Sequence, residues 1–266
     1  MTESSIFVLI RSKIHSKENT MAFKERELHI LEYLKGHKEA TIGELCKALF
    51  VSEATMRRDL TRLHQAKKLI RTHGGATYRN EPGVNLPQDF RERENVDAKI
   101  AIASKCLSLI NDGDTVMIDG SSTVLPLLRI IGAKKSLVII TNNAKAPVLL
   151  TETDAKVFIC GGELATNAYA LVGSYAESFV NSFNADICFF SVSNLTSNGQ
   201  LTDNSIAENI IRRAMISKAK RVVLMLDSHK IGEPCISNLC SLDQIDIIAC
   251  EKNISSLFPE HKHKFI

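Results

Sequence analysis

Three arginines, Arg57, Arg58 and Arg62, fall in one short stretch with Ser52, Thr55 and Thr61. Met56, Leu60 and Leu63 are spaced by four and three, the pattern of a buried helical stripe. A step of ~100° per residue then puts Thr55, Arg58, Thr61 and Arg62 on the outer face, with Arg57 on the flank. Guanidinium groups make paired hydrogen bonds to guanine edges and clamp phosphates, so this face suits a nucleic acid. Asp59 lies among the arginines and would repel phosphate if exposed; it is expected to orient an arginine or pair within the fold. Arg71 and His73, with Lys67, Lys68 and Arg79, are placed to reach the phosphate backbone, which positions a protein without reading sequence.

A second set of polar residues follows apolar runs further along the chain. Asp119-Gly120-Ser121-Ser122-Thr123 offers three hydroxyls and main-chain N–H groups ahead of a stretch that can be a helix, which suits a phosphate. Thr141-Asn142-Asn143, Gly161-Gly162 and Asp227-Ser228-His229-Lys230 stand at the ends of later runs, the last with a lysine to complete an anion site. Singly, each is an ordinary polar turn. Ligands of open parallel sheets bind at the carboxyl ends of strands, so together the turns are expected to converge.

These groups need elements to position them. Residues 22–35 read as a helix with Leu28, Leu31 and Leu34 at three-residue steps, ended by Gly36. Thr41 and Glu44 form a capping-box pattern before a second helix whose stripe is Leu45, Ala48 and Leu49. Ser52 caps the third helix, and short strands at 69–71 and 76–78 flank a His73-Gly74-Gly75 turn. Three helices and a β-wing suggest a winged helix-turn-helix over 21–78, its third helix in the major groove. Residues 79–90, with Pro82, Gly83 and Pro87, read as a linker. In 91–258, Ile100, Ala103, Leu107 and Ile110 mark a helix closed by Asn111-Asp112-Gly113. Apolar runs at 116–118, 137–140, 157–160, 187–190, 222–226 and 245–249 alternate with helical stretches, the pattern of a mostly parallel sheet flanked by helices. The fold class is α/β: a small N-terminal winged helix-turn-helix domain and a larger α/β domain.

Charge and composition agree with this division. Between 21 and 80 there are 12 lysines and arginines against 7 acids, whereas 81–266 carries 18 against 21. A basic first unit on an acidic remainder points to a polyanion partner for the first unit alone. No run reaches the ~18–20 apolar residues of a membrane span, and no signal peptide is evident, so no membrane partner and a cytoplasmic location are expected. Residues 1–20 fit no element, and Met21 reads as a natural start. Seven cysteines without C-x-x-C spacing read as buried thiols, with no zinc site. His261-Lys262-His263-Lys264 reads as a solvated tail.

The run Val51-Ser52-Glu53-Ala54-Thr55-Met56-Arg57-Arg58-Asp59-Leu60, followed by Arg71-Thr72-His73-Gly74-Gly75-Ala76, resembles the signature of the DeoR family of bacterial regulators from about Lys24 onward. Met56 replaces the family's branched residue and stays apolar. The resemblance implies a C-terminal domain similar to ribose-5-phosphate isomerase that binds phosphorylated sugars. Asn142, Gly161-Gly162 and Lys230 match family positions, and Ser122-Thr123 stand for its paired threonines. Ser121 replaces a glycine and so lacks freedom for positive φ. Ser193 replaces an acid after the fourth strand. The expectation is a DNA-binding regulator of carbohydrate genes, a repressor in type, whose affinity for a double-stranded operator is set by a sugar phosphate. It is expected to be a homodimer or higher homo-oligomer without a cofactor. A sugar-phosphate isomerase with a fused DNA-binding unit is disfavoured by the missing acid; Asp203 and Glu208 show no pairing, and Glu208 is expected to face solvent. A DNA-binding protein with a degenerate sensor is the remaining alternative.

Overall fold

The computed structural model describes residues 23–66, 68–78, 87–166 and 168–266. The chain divides near residue 84 into two compact units.

In the first unit, α1 covers residues 23–37. It runs through Gly36, past the expected stop, and ends at Lys38, whose φ of 65° breaks the helix. Strand β1 (Glu39–Thr41) leads into α2 (Ile42–Leu49). Thr41 caps it: Thr41 Oγ1 accepts from the Glu44 N–H at 3.2 Å, and the Glu44 carboxylate accepts from the Thr41 N–H at 2.7 Å. Helix α3 (Glu53–Gln65) starts at Ser52, whose hydroxyl accepts from the Thr55 N–H at 3.3 Å. Strands β2 (Leu69–Arg71) and β3 (Gly75–Tyr78) form an antiparallel sheet in the order β1-β3-β2. The wing thus has a third strand that period-two patterning missed, because three residues are too few to show alternation. Leu34, Leu45, Met56, Leu60, Leu63 and Leu69 fill the core. Ala48 is exposed and Leu49 half-buried; Ile42 takes the place they were expected to fill.

The second unit opens with α4 (Gln88–Arg93) and α5 (Val96–Leu107). The expected linker lies outside the described residues as far as 86, and its last residues belong to α4. Then follow β4 (Thr115–Ile118), α6 (Leu125–Ile130), β5 (Val138–Thr141), α7 (Ala146–Leu149), β6 (Lys156–Ile159) and the hairpin β7 (Glu163–Leu164) and β8 (Leu171–Val172). Helix α8 (Ser174–Asn181), β9 (Ile187–Phe190), β10 (Asn194–Leu195), β11 (Gln200–Asp203), α9 (Ile206–Lys218), β12 (Val222–Leu226), β13 (Ser237–Ser241) and β14 (Ile247–Cys250) complete it.

The six expected apolar runs are the six strands of one parallel sheet, ordered β14-β12-β9-β4-β5-β6. Side chains alternate across it. Met117, Ile140, Cys188, Phe190 and Leu224 face α8 and α9, while Val116, Ile139, Ile187, Phe189 and Val223 face α5 and α6. The chain leaves β4 toward β5 and β6, then returns to place β9 on β4's other side. Such a reversal opens a crevice at the strands' carboxyl ends. The short antiparallel sheet β10-β11-β13 was not foreseen. The C-terminus also departs from expectation. Residues Pro259–Lys264 form a 3-10 turn rather than a solvated tail. His261 Nε2 lies 2.9 Å from Asp243 Oδ1, Lys264 Nζ donates to the Leu242 carbonyl at 2.9 Å, and Phe265 stacks on Phe258.

Candidate functional site

Burial of Met56, Leu60 and Leu63 orients α3 as the stripe required. Arg57, Arg58 and Arg62 are exposed, as are Ser52, Arg71 and His73, and Thr55 is half-buried. Asp59 is buried and takes Arg26 Nε at 2.6 Å, so its charge is consumed between α3 and α1 rather than offered to phosphate. Arg57 reaches Glu53 at 3.2 Å across one helical turn, an exposed pair that exchanges easily with solvent or phosphate. The Arg62 guanidinium lies 4.9 Å from the Phe23 ring centre, and Arg71 donates to Thr61 Oγ1 at 3.0 Å. That last contact ties the wing to the reading helix. Gly75 is required where the wing crosses β1: a Cβ there would lie 2.0 Å from the Ala40 carbonyl oxygen.

In the second unit Ser121, Ser122 and Thr123, all buried, follow β4 at the carboxyl edge of the sheet, and Lys230 reaches Thr123 there. The Lys230 ammonium donates to Thr123 Oγ1 at 2.9 Å, to Ser191 Oγ at 3.0 Å and to the Val192 carbonyl at 2.8 Å. All three partners are neutral. Burial, and then the nearby positive charge of Lys99, bring the Lys230 pKa down to about 8. Ser121 has no positive φ, so glycine's freedom is not needed at this turn. Asp119 is committed elsewhere: Oδ1 accepts from the Ser121 N–H and hydroxyl, and Oδ2 accepts from Arg212 Nε at 2.9 Å.

Arg212 is the hub that the sequence did not announce. It is buried on α9 and pairs with Asp119, Asp203 at 2.9 Å and Glu208 at 3.1 Å. Glu208 is therefore inside, not facing solvent, because the helix turns its i and i+4 positions, Glu208 and Arg212, to the same side. Burial alone would raise the Asp203 carboxyl; the Arg212 guanidinium and the Ser205 N–H outweigh it and hold it below the usual carboxylate range. Asp203 Oδ2 also accepts from the Ser193 N–H at 3.0 Å, so an acid from β11 braces the turn where Ser193 had replaced one.

Asn142 and Asn143 follow β5 and are buried. Asn142 Oδ1 and Asn143 Nδ2 are the two buried side-chain polar atoms lacking a partner among the described residues. Ala170 packs against Gly120, where a Cβ would lie 2.7 Å from the Ala170 Cβ, and it bridges to Asn143. Gln88 of α4 joins the same region, donating to the Gly120 carbonyl at 3.1 Å and accepting from the Tyr169 N–H at 2.6 Å. Gly161 and Gly162 are exposed; Gly162, with φ 142°, passes close under the Val172 carbonyl and shapes the β7-β8 hairpin. Among the described residues, no hydrogen bond brings them to Lys230.

Lys99 was missed for a geometric reason. The α5 stripe had been drawn through Ile100, Ala103 and Leu107, but Ile100 is half-exposed and the buried positions are Lys99, Ile102, Ala103 and Cys106. One residue of phase hides a lysine in the core. Burial brings its pKa down to about 8. Asp227, His229 and Glu251 bring ligand-type atoms within 4.8 Å of one another. They are held as a hydrogen-bonded group: Asn95 donates to Asp227 at 2.6 Å, His229 Nδ1 sits 2.9 Å from Asp227, and Ser228 donates to Glu251. Burial pushes the Cys106 and Cys240 thiols up to about 12 and suits them to packing rather than reaction. Among the described residues, no helix is long and apolar enough to cross a membrane.

Known proteins are similar to this chain in sequence along most of its length. The regulator GolR of Listeria innocua is 28% identical over 232 residues, 87% of this chain and 91% of that protein. The glycerol-3-phosphate regulon repressor of Escherichia coli is 29% identical, covering 84% of this chain and 89% of that one. Among solved structures, ribose 5-phosphate isomerase A from Methanocaldococcus jannaschii overlaps 52% of this chain and 56% of its own at 16% identity, with a TM-score of 0.39. Residues 26–81 match the DeoR-like helix-turn-helix domain, and residues 94–252 match the DeoR C terminal sensor domain. The chain belongs to the DeoR family of DNA-binding transcriptional regulators.

Proposed function

We propose that this chain is a repressor of carbohydrate genes that acts as a homo-oligomer and leaves its operator on binding a phosphorylated sugar or related metabolite. The observation carrying this reading is the half-buried Lys230, whose ammonium is held on three neutral oxygens at the carboxyl ends of the strands. A cation withdrawn from water without a carboxylate against it is costly unless a bound anion compensates it. Ser122 and Thr123 supply hydroxyls to such an anion, and the unpaired Asn142 Oδ1 supplies an acceptor for a hydroxyl hydrogen. Several curated relatives carry the name of repressor, two of them of the glycerol-3-phosphate regulon.

On α3, Ser52, Thr55, Arg57, Arg58 and Arg62 face the major groove, and Arg71 and His73 of the wing meet the backbone. Two reading helices on two half-sites require two copies of the chain. Release follows if the metabolite binds better to the form with low operator affinity. Isomerase chemistry needs a free carboxylate base, and the acids Asp119, Asp203 and Glu208 are all engaged by Arg212. The protein is accordingly a sensor rather than an enzyme, and incubation with sugar phosphates should give no turnover.

The test is binding to DNA from upstream of the protein's own gene at fixed salt, with and without a panel of sugar phosphates. A specific complex dissolved by one compound supports the reading. A specific complex indifferent to all of them favours a degenerate sensor.

A further inference from the structure

We propose that Phe50 reads a thymine methyl group in the operator, adding one apolar contact to the polar and cationic face of α3. This inference rests on α3 being the reading helix, as proposed above.

Phe50 is 95% exposed, the most exposed large apolar side chain among the described residues. It stands in the turn between α2 and α3. Its backbone is left-handed, with φ 54°. That conformation closes α2, since it lets the Phe50 N–H donate to the Cys46 carbonyl. Glycine or asparagine takes such a position with little strain, whereas a bulky side chain does so at a cost. Helix capping therefore does not call for a phenylalanine here, and neither does the core. Leu49 and Val51, on either side, pack against the core that holds Leu45, Met56 and Leu60. The turn is thus fixed at both ends, and the ring between them stands in water.

The position of the ring in the fold decides what it meets. A reading helix enters the major groove with its N-terminal residues against the base edges. Ser52 starts α3 two residues after Phe50, which places the two Cα atoms within about 7 Å of each other. The ring accordingly projects beside the end of α3 that lies deepest in the groove. Among the groups that base pairs present there, the thymine C5 methyl is the apolar one. A phenyl ring cannot replace the water bound to a phosphate or to a polar base edge. Against a methyl group it removes apolar surface on both sides from water and strips no charge. A protein docked on Phe50 would sit over the start of α3 and compete with DNA, so the duplex is the occupant that fits the function of this unit.

The test begins with a specific duplex, selected from random-sequence DNA with the full chain. Each thymine is then replaced in turn by deoxyuridine, which removes the methyl alone. Wild type should lose affinity by about fourfold at one position of each half-site, the effect of one buried methyl group. Phe50→Asn keeps a residue suited to the left-handed turn and should melt no lower than wild type. It should bind the thymine duplex about fourfold more weakly and be indifferent to deoxyuridine at that position. Its salt dependence should match wild type, because a neutral contact releases no counterions. Wild-type affinity in Phe50→Asn, with Arg58→Ala weakened, overturns the inference and leaves α3 as the reading helix. Weaker binding of Phe50→Asn with the response to deoxyuridine unchanged also overturns it, since the ring then touches something other than the methyl. A lower melting temperature or an altered oligomeric state in Phe50→Asn does the same, because the ring then serves the fold or a second copy. Full affinity in both Phe50→Asn and Arg58→Ala, or recovery of no preferred duplex, overturns the inference together with the reading of α3.

Discussion

Lys230 and Arg58 differ in how far each cation is withdrawn from water. Arg58 is exposed on α3, so in the proposed reading role it would lose little on exchanging water for a base edge. Arg58→Ala should weaken operator binding by at least ~1 kcal/mol at fixed salt, measured by titration; full affinity would remove it from the reading set. Lys230 is held on neutral oxygens. Lys230→Ala should abolish the effector response while operator affinity in its absence stays close to wild type; a preserved response would move the anion site elsewhere. The lysines also set a pH window. Burial holds Lys99, and burial and the Lys99 charge hold Lys230, at about 8, below their ordinary 10.5; around them stand Arg91, Glu92, Glu94, Asp203 and Asp227. Between those values the ligand-free folded chain holds fewer protons than the unfolded one, so its stability should rise with pH there. A phosphomonoester gains its second charge near pH ~6, so effector affinity should peak between about 6 and 8 and fall on both sides, as calorimetry across that range would show. Affinity that is flat through pH 8 would take Lys230 out of the site.

At the level of elements, the reading helix is aimed by its neighbours. Met56, Leu60 and Leu63 fix its rotation, Ser52 fixes its start, and the Arg26–Asp59 pair fixes it against α1. The wing is set by a close approach of backbones. Gly75→Ala would drive a Cβ into the Ala40 carbonyl, so β3 must move away from β1. A cost of ~1–3 kcal/mol in urea unfolding is expected, with a loss of operator affinity. Wild-type behaviour would mean that the β1-β3 crossing tolerates displacement without moving the reading helix. Much of this unit was legible, since capping residues and three- and four-residue spacings are local signals. The extra strand β1 and the exposed Ala48 were not, because both depend on what packs against a short segment.

For the whole molecule, Arg212 joins three elements. It clamps the turn after β4 through Asp119, the end of β11 through Asp203 and its own helix through Glu208. Arg212→Leu leaves three buried carboxylates without their counter-charge, and a loss of ~3–5 kcal/mol is expected in chemical denaturation at neutral pH. The pH response should reverse sign. In wild type the Asp203 carboxyl is held low, so its contribution is present above the ordinary carboxylate pKa and is lost as acid is added. In the variant, burial without the guanidinium raises the Asp203 carboxyl, so mild acid should stabilise it. A variant as stable as wild type would show that water or another cation reaches these acids.

What the sequence determined by itself was local or periodic. Six apolar runs became six parallel strands, because a strand buried on both faces needs apolar residues throughout. The arginine face of α3 followed from the spacing of three apolar side chains. The turns at 119–123 and 227–230 could be read as polar strand ends because parallel strands place such turns at one edge. What only the tertiary structure decided was which charges are spent and which remain for a ligand. Asp119 is spent on Arg212, and Glu208 is turned inward to the same partner. Lys99 sits one residue out of phase with the stripe that would have revealed it. The pair of Asp119 with Arg212 joins residues 93 positions apart in the chain, and no spacing rule spans that distance. Charge compensation is a property of three-dimensional neighbourhoods, and it is settled only when the strands have been ordered.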